Sequence, residues 1–268
     1  MRTPLVSIVK EDGVARITFE RPDAGNAVTP DFIDDLVTAL AHAAESGAGA
    51  VLLGAAGPNF CVGADLKHFA SRVDGLADEL DRMAKAFHAA LASLVELPIP
   101  VVARVQGAAV GAGMGLMMAA DYVVCAEDAR LATGYVGLGL SADAGVSLFL
   151  TQALGPRLAR SLLMSGRVIT GREAVALGLA DEGWPSQDLA AQADAVARRF
   201  ADGPGPAYAA IKRLTAEAAF GPELRAHLDR EREEIVRLAA SGRLAQALKA
   251  MVRRSMQAER QASVSYDA

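Results

Sequence analysis

Two segments of this chain share a design that could hold an oxyanion. In the first, Val51-Leu52-Leu53 leads through Asn59-Phe60-Cys61-Val62-Gly63 to Ala64-Asp65-Leu66-Lys67. In the second, Val101 to Val105 leads through Gly107-Ala108-Ala109-Val110 to Gly111-Ala112-Gly113. Each reads as a buried strand, a turn of small residues and a helix start. Small residues let a ligand approach the backbone, and the first N–H groups of a helix have no partner inside it. Two such turns aimed at one oxygen would stabilise an enolate or a tetrahedral oxyanion. For either segment alone, the simpler reading is that the glycines serve turns and close helix-on-sheet contacts. A dinucleotide site is the next alternative. However, Gly111-Ala112-Gly113-Met114-Gly115-Leu116 has Leu where the last glycine of G-x-G-x-x-G belongs, and it does not follow the first strand.

A carboxylate stands further on, in Gly139-Leu140-Ser141-Ala142-Asp143-Ala144-Gly145. Asp143 could carry a proton as acid/base, or it could cap a helix starting near Gly145. The same stretch fails as a serine nucleophile elbow, because Asp143 occupies the last glycine of G-x-S-x-G. His42, His68, His88 and His227 are scattered without metal-ligand spacing, so no metal is implied. His88 falls on an amphipathic pattern, where a partly buried structural histidine is the common case. Cys61 and Cys125 each lie inside an apolar stretch and read as core thiols, against a disulfide framework and for a reducing compartment.

The elements that must position these residues follow from periodicity. Val6 to Lys10 and Val14 to Phe19 flank Asp12-Gly13, which predicts a β-hairpin. Thr29-Pro30-Asp31 is an N-cap with proline at the first helical position, followed by Phe32, Leu36, Val37 and Leu40 at helical spacing. Asp78 to Leu97 carries Leu80, Met83, Phe87, Leu91, Leu94 and Val95 at three- and four-residue steps and stops before Pro98 and Pro100. Ala50 to Leu53, Val101 to Val105 and Tyr122 to Cys125 read as buried strands, and Gly111 to Ala120 as a glycine-opened helix. Strands alternating with helices predict an α/β fold with largely buried sheets. After Gly183-Trp184-Pro185 the pattern turns helical, with runs from Gln187, Pro206, Pro222 and Leu244 and a polar end from Arg253. Lys212 and Arg213 read as a solvated helix face.

The chain has 268 residues, 52% of them hydrophobic, which is enough for one large core or a core with an appendage. A net charge of −5, with no basic and aromatic patch, speaks against a nucleic-acid partner. The uncharged run between Arg104 and Asp121 is shorter than a membrane span and rich in Gly and Ala, so it reads as close packing. Acidic and turn residues arrive by Glu11-Asp12-Gly13, too early for a secretory core, and the expected location is the cytoplasm.

Three ordered motifs carry a resemblance: Pro22-Asp23-Ala24-Gly25-Asn26-Ala27-Val28, Phe60 through Leu66, and Gly107 through Asp121. Together they resemble the signatures of the enoyl-CoA hydratase/isomerase (crotonase) family, over about residues 5 to 255. The resemblance implies a spiral of β-β-α turns over residues 1–190, and a C-terminal helical trimerisation region over 191–268. It also implies a homotrimer or a dimer of trimers. An acyl-CoA would be the substrate, and no cofactor is needed beyond the CoA it carries. By position, Ala64 and Ala112 supply the oxyanion N–H groups. Ala24, Asp65, Leu66, Lys67 and Gly111 line the substrate site, and Tyr135 shapes the acyl pocket.

The chain departs from the hydratases of that family, whose two glutamates fall at Gly115 and Tyr135 here, neither of them a base near neutral pH. The loop around Asp143 instead resembles that of isomerases acting on phenylacetate-derived and unsaturated acyl-CoAs. An acyl-CoA isomerase, with Asp143 as acid/base, is therefore the expected activity. The alternatives are a hydratase using other groups and a non-catalytic acyl-CoA binder. A further alternative is an enzyme like the 4-chlorobenzoyl-CoA dehalogenases, in which Asp143 would attack the ring and His88 would activate water.

Overall fold

A computed structural model describes residues 2–221 and 223–264. The hairpin forms from β1 (Val6–Glu11) and β2 (Val14–Phe19), with Asp12 at φ 49° and Gly13 at φ 75°, the two left-handed residues of a type I′ turn. A single 3-10 turn, Pro22–Ala24, leads to α1 (Pro30–Glu45), capped by the Thr29 side chain. Next come β3 (Ala50–Ala55), the short α2 (Leu66–Ala70) and the long α3 (Leu76–Glu96). Then follow β4 (Val101–Val105), β5 (Ala108–Val110), α4 (Ala112–Met118), β6 (Tyr122–Ala126) and β7 (Arg130–Ala132). A 3-10 turn at Val136–Leu138 precedes α5 (Val146–Ser165), which is broken at Gly155 (φ 73°, ψ 162°) just before Pro156. β8 (Ile169–Thr170), α6 (Gly171–Ala176) and β9 (Glu182–Trp184) complete the sheets. The chain then continues as α7 (Leu189–Ala201), α8 (Gly205–Ala219), α9 (Glu223–Ala240) and α10 (Arg243–Val264).

The large sheet runs β1-β2-β3-β4-β6-β9, parallel beyond the hairpin, and the small one runs β5-β7-β8. Isolated bridges Val28↔Ala64 and Cys61↔Ala109 extend the small layer alongside the large one. Each turn of the chain thus lays a long strand in one layer and a short one in the other before a helix returns it. This is the α/β spiral of β-β-α turns that the resemblance implies. Phe19 stacks at 4.9 Å from Phe32 and 5.3 Å from Phe60, so the hairpin, α1 and the first turn share one aromatic core.

Among the described residues no strand follows Trp184. α7 packs on β3, β4 and β6, while α9 lies along α3 and α10 reaches α2. Pro222, read as the start of a helical run, and 265–268 at the polar end lie outside the described residues. Lys212 is not on a solvated face: its Nζ is buried 2.6 Å from Asp121, whose carboxylate also accepts from Val101 N–H at 2.8 Å. The lysine is a strut tying α8 to the start of β4. Its Nζ also donates to the carbonyls of Leu94 and Ile99, a convergence of distant partners that sequence pattern does not encode.

Candidate active site

The two glycine-containing turns are joined by backbone hydrogen bonds. Phe60 N–H donates to Gln106 O at 2.8 Å, Cys61 N–H to Ala108 O at 3.0 Å, and Val110 N–H to Cys61 O at 2.9 Å. Cys61 therefore faces Ala109, and a Cβ on Gly63 would lie 3.6 Å from Ala112 N. A Cβ on Gly113 would sit 2.1 Å from Cys61 O, so only glycine lets α4 start against the first turn. Gly111, just before it, has φ 55° and ψ −117°, again a glycine conformation. Val28 accepts from Asp65 N–H and donates to Gly63 O, which fixes the chain on both sides of Ala64. Ala64 and Ala112 line one cavity of about 150 Å³, and neither N–H has a hydrogen-bond partner among the described residues.

Asp143 lines the same cavity. Its Oδ1 lies 2.7 Å from Nε2 of His88, a buried residue of α3. Its carbonyl accepts a 2.8 Å hydrogen bond from the Tyr135 hydroxyl. The next two residues, Ala144 (φ 59°) and Gly145 (φ 75°), are both left-handed, an arrangement costing about 1 kcal/mol at the alanine. Glu231 of α9 holds it in place: one carboxylate oxygen accepts from Gly145 N–H at 2.6 Å, and the other from Ser147 N–H at 3.0 Å and from the Ser147 hydroxyl. The Ser147 hydroxyl is also 2.8 Å from Nε2 of His227. Burial alone would raise the Glu231 pKa, but the nearby His227 ring and bonds from Ser147 and Gly145 outweigh it and hold the carboxyl below its usual range.

Glu231, and not Asp143, thus closes the start of α5, whose N-cap Gly145 has no side-chain cap of its own. The Asp143 carboxylate is left to the cavity and His88. Sequence reading missed Glu231. It lies on a helix crowded with charges, and the only local signal is its i,i+4 spacing from His227. The scattered histidines and acids also converge more than their spacing indicates: ligand atoms of His88, Asp143 and Glu231 fall within 4.8 Å of one another. Because both Glu231 oxygens are taken by the Gly145–Ser147 segment, hydrogen bonds organise this trio.

Gly111, Leu66 and Tyr135 line the cavity, whereas Ala24, Asp65 and Lys67 lie outside its wall. The Asp65 carboxylate caps α2 through Lys67 and His68 N–H and pairs with Arg21 at 2.7 Å. Burial raises its pKa, but Arg21 and those N–H groups bring it below normal. Ala24 ends the 3-10 turn, and the adjoining Gly25 rests on Val62. Phe69, Leu80 and Leu138 make much of the apolar wall, and Ile235 of α9 with Leu244 of α10 closes it. Burial pushes the Tyr135 phenol well above its ordinary value, with the charges of Asp143 and Glu231 adding to the effect. It lifts the Cys61 and Cys125 thiols to about 12 and about 11, as befits core thiols.

Position 115 has no room for an acid. A Cβ there would lie 2.3 Å from Ala144 O, so the backbone of the Asp143 loop occupies the space. The site offers two unpartnered N–H groups and one carboxylate around an apolar cavity. That is a set for generating an anion next to a polarised carbonyl and moving a proton.

A family model described as enoyl-CoA hydratase/isomerase matches residues 9–261. The chain is 30% identical to a trans-2-decenoyl-[acyl-carrier-protein] isomerase of Streptococcus mutans over 78% of this chain and 81% of that one. It is 28% identical to 4-chlorobenzoyl coenzyme A dehalogenase-2 of an Arthrobacter species, over 80% and 78% of the two chains. A crystal structure of an enoyl-CoA hydratase from Mycobacterium avium subsp. paratuberculosis superposes with a TM-score of 0.83 at 28% identity, covering 93% of this chain and 99% of that one.

Proposed function

The chain belongs to the enoyl-CoA hydratase/isomerase family, and from that premise we propose that it is an acyl-CoA isomerase that shifts a double bond through an enolate. The Ala64 and Ala112 N–H groups polarise the thioester carbonyl of a 3-enoyl-CoA. Asp143 takes a proton from the carbon between carbonyl and alkene, the electron pair moves onto the thioester oxygen, and the double bond migrates as the proton returns at the far carbon. The 2.7 Å contact of Oδ1 with His88 Nε2 orients the carboxylate while its other oxygen takes the proton and returns it. No group beyond the substrate's CoA is required.

The observation that carries this reading is the meeting of Ala64, Ala112 and Asp143 on one cavity, while positions 115 and 135 offer no carboxylate. A double-bond-shift assay on 3-enoyl-CoAs with wild type and Asp143→Asn tests it. Full activity in the variant removes Asp143 from the mechanism.

The contact between His88 and Asp143 favours a second reading, in which Asp143 attacks a halogenated ring carbon, halide leaves, and water activated by His88 cleaves the aryl ester. Halide release from 4-chlorobenzoyl-CoA, with solvent ¹⁸O appearing first in the Asp143 carboxylate, distinguishes it. We also place the chain in a homotrimer or dimer of trimers in the cytoplasm. Exposed Ile211 and Leu214 on α8 support association, and light scattering reads it out. None of the described helices is long and apolar enough to cross a membrane.

A further inference from the structure

We propose that this site accepts compact acyl groups, no bulkier than a single six-membered ring, and that Tyr135 and Leu140 form the partition that turns longer chains away. The inference rests on the acyl-CoA reading above and names the substrate class within it.

The thioester carbonyl must lie beside Ala64 and Ala112, and the reacting carbon beside Asp143. All three line the same cavity of about 150 Å³, so carbonyl and acyl group share that volume. An apolar cavity of about 150 Å³ in another protein holds one benzene molecule. The walls are largely apolar, with Ile235 of α9 and Leu244 of α10 among them.

A second, larger and more open hollow of about 770 Å³ adjoins this cavity, with Thr151, Leu163 and Met164 as well as Arg160 and Glu234 among its walls. Among the described residues the two share only Tyr135 and Leu140. This partition is fastened rather than loose. The Tyr135 hydroxyl donates to Asp143 O at 2.8 Å, and the Tyr135 carbonyl accepts from Leu138 and Leu140 N–H at 2.9 and 3.2 Å. The residues that bound the acyl group are thus tied to the loop that carries the carboxylate. A chain long enough to pass them must break a bond to that loop, whereas trimming Leu140 opens the larger cavity and leaves the tyrosine bond in place.

Calorimetric titration with saturated butanoyl-, benzoyl- and decanoyl-CoA tests this without turnover. Wild type is expected to bind the first two at least about tenfold more tightly than decanoyl-CoA, the scale of discrimination that apolar pockets reach. Leu140→Ala is expected to remove most of that preference, and Leu140→Val part of it, with circular dichroism confirming the fold of each. The milder variant keeps the test informative if the alanine one does not fold. Equal affinity of wild type for benzoyl- and decanoyl-CoA, or an unchanged preference in the folded variants, overturns the inference while leaving the acyl-CoA reading intact. Failure of wild type to bind any of the thioesters overturns that reading, and the inference with it.

Discussion

Nε2 of His88 lies 2.7 Å from Oδ1 of Asp143, although 55 residues separate them in the chain. α3 brings the ring to Asp143, and the Glu231-anchored loop brings the carboxylate to the cavity. In the isomerase mechanism His88 orients the carboxylate that exchanges a proton with carbon, so it is a positioning residue. His88→Gln, which keeps a polar partner near Oδ1, is expected to lower kcat for the double-bond shift about tenfold with little change in KM. Build-up of a covalent acyl- or aryl-enzyme in this variant would instead mark the nucleophilic route.

Asp143→Asn is expected to cost about a thousandfold in kcat, within the usual range for losing a positioned acid/base, with little change in binding of a saturated acyl-CoA. Deuterium exchange at the carbon beside the thioester, followed by NMR in D2O, should fall with it.

Glu231→Gln replaces an acceptor of several donors with a group that brings an N–H₂ of its own to the Gly145–Ser147 segment. A loss of about 3 kcal/mol is expected from chemical denaturation, as for breaking a buried charged network. In the native protein the Glu231 pKa is depressed below its ordinary value of 4.5. Its contribution is therefore fully present above pH 4.5 and fades as pH falls through the lower folded-state value. Thermal unfolding between pH 7 and pH 3 should show an acid-side loss in wild type that is smaller in the glutamine variant.

Gly115→Ala would put a methyl carbon 2.3 Å from Ala144 O if nothing moved. The loop must shift, at a cost of about 2 kcal/mol from overpacking. Because that loop bears Asp143, activity measured below the melting transition should fall further than stability does. Gly115→Glu should give no hydration of 2-enoyl-CoA, since the space for a second acid is already filled.

The strands, the long helices and the two turns were legible because their signals are local. Alternating β-formers around Asp12-Gly13, the Thr29 cap and the three- and four-residue steps of α3 each describe their own neighbourhood. The short strands β5, β7, β8 and β9 were not seen, because two or three residues carry no readable period. Ala64, Ala112 and Asp143 were read from motif order, and all three line one cavity. Glu231 and the role of the His88 ring were not, because both depend on α9 and α3 meeting the Asp143 loop, and such a meeting leaves no mark on spacing. The Leu140 partition is likewise a tertiary property: a leucine beside a turn reads the same whether it faces one cavity or two.

The claim at the centre is that the N–H groups of residues 64 and 112 grip one thioester oxygen. Isotope-edited infrared spectroscopy of a bound, unreactive acyl-CoA carrying ¹³C at the thioester carbonyl measures this grip. Wild type should move the carbonyl stretch to lower frequency than in water. Ala112→Pro, which removes one N–H at the first helical position, where proline is tolerated, should reverse much of that shift and reduce kcat by about a hundredfold or more. An unshifted carbonyl in wild type, or a shift and a rate that the proline variant leaves untouched, would contradict it.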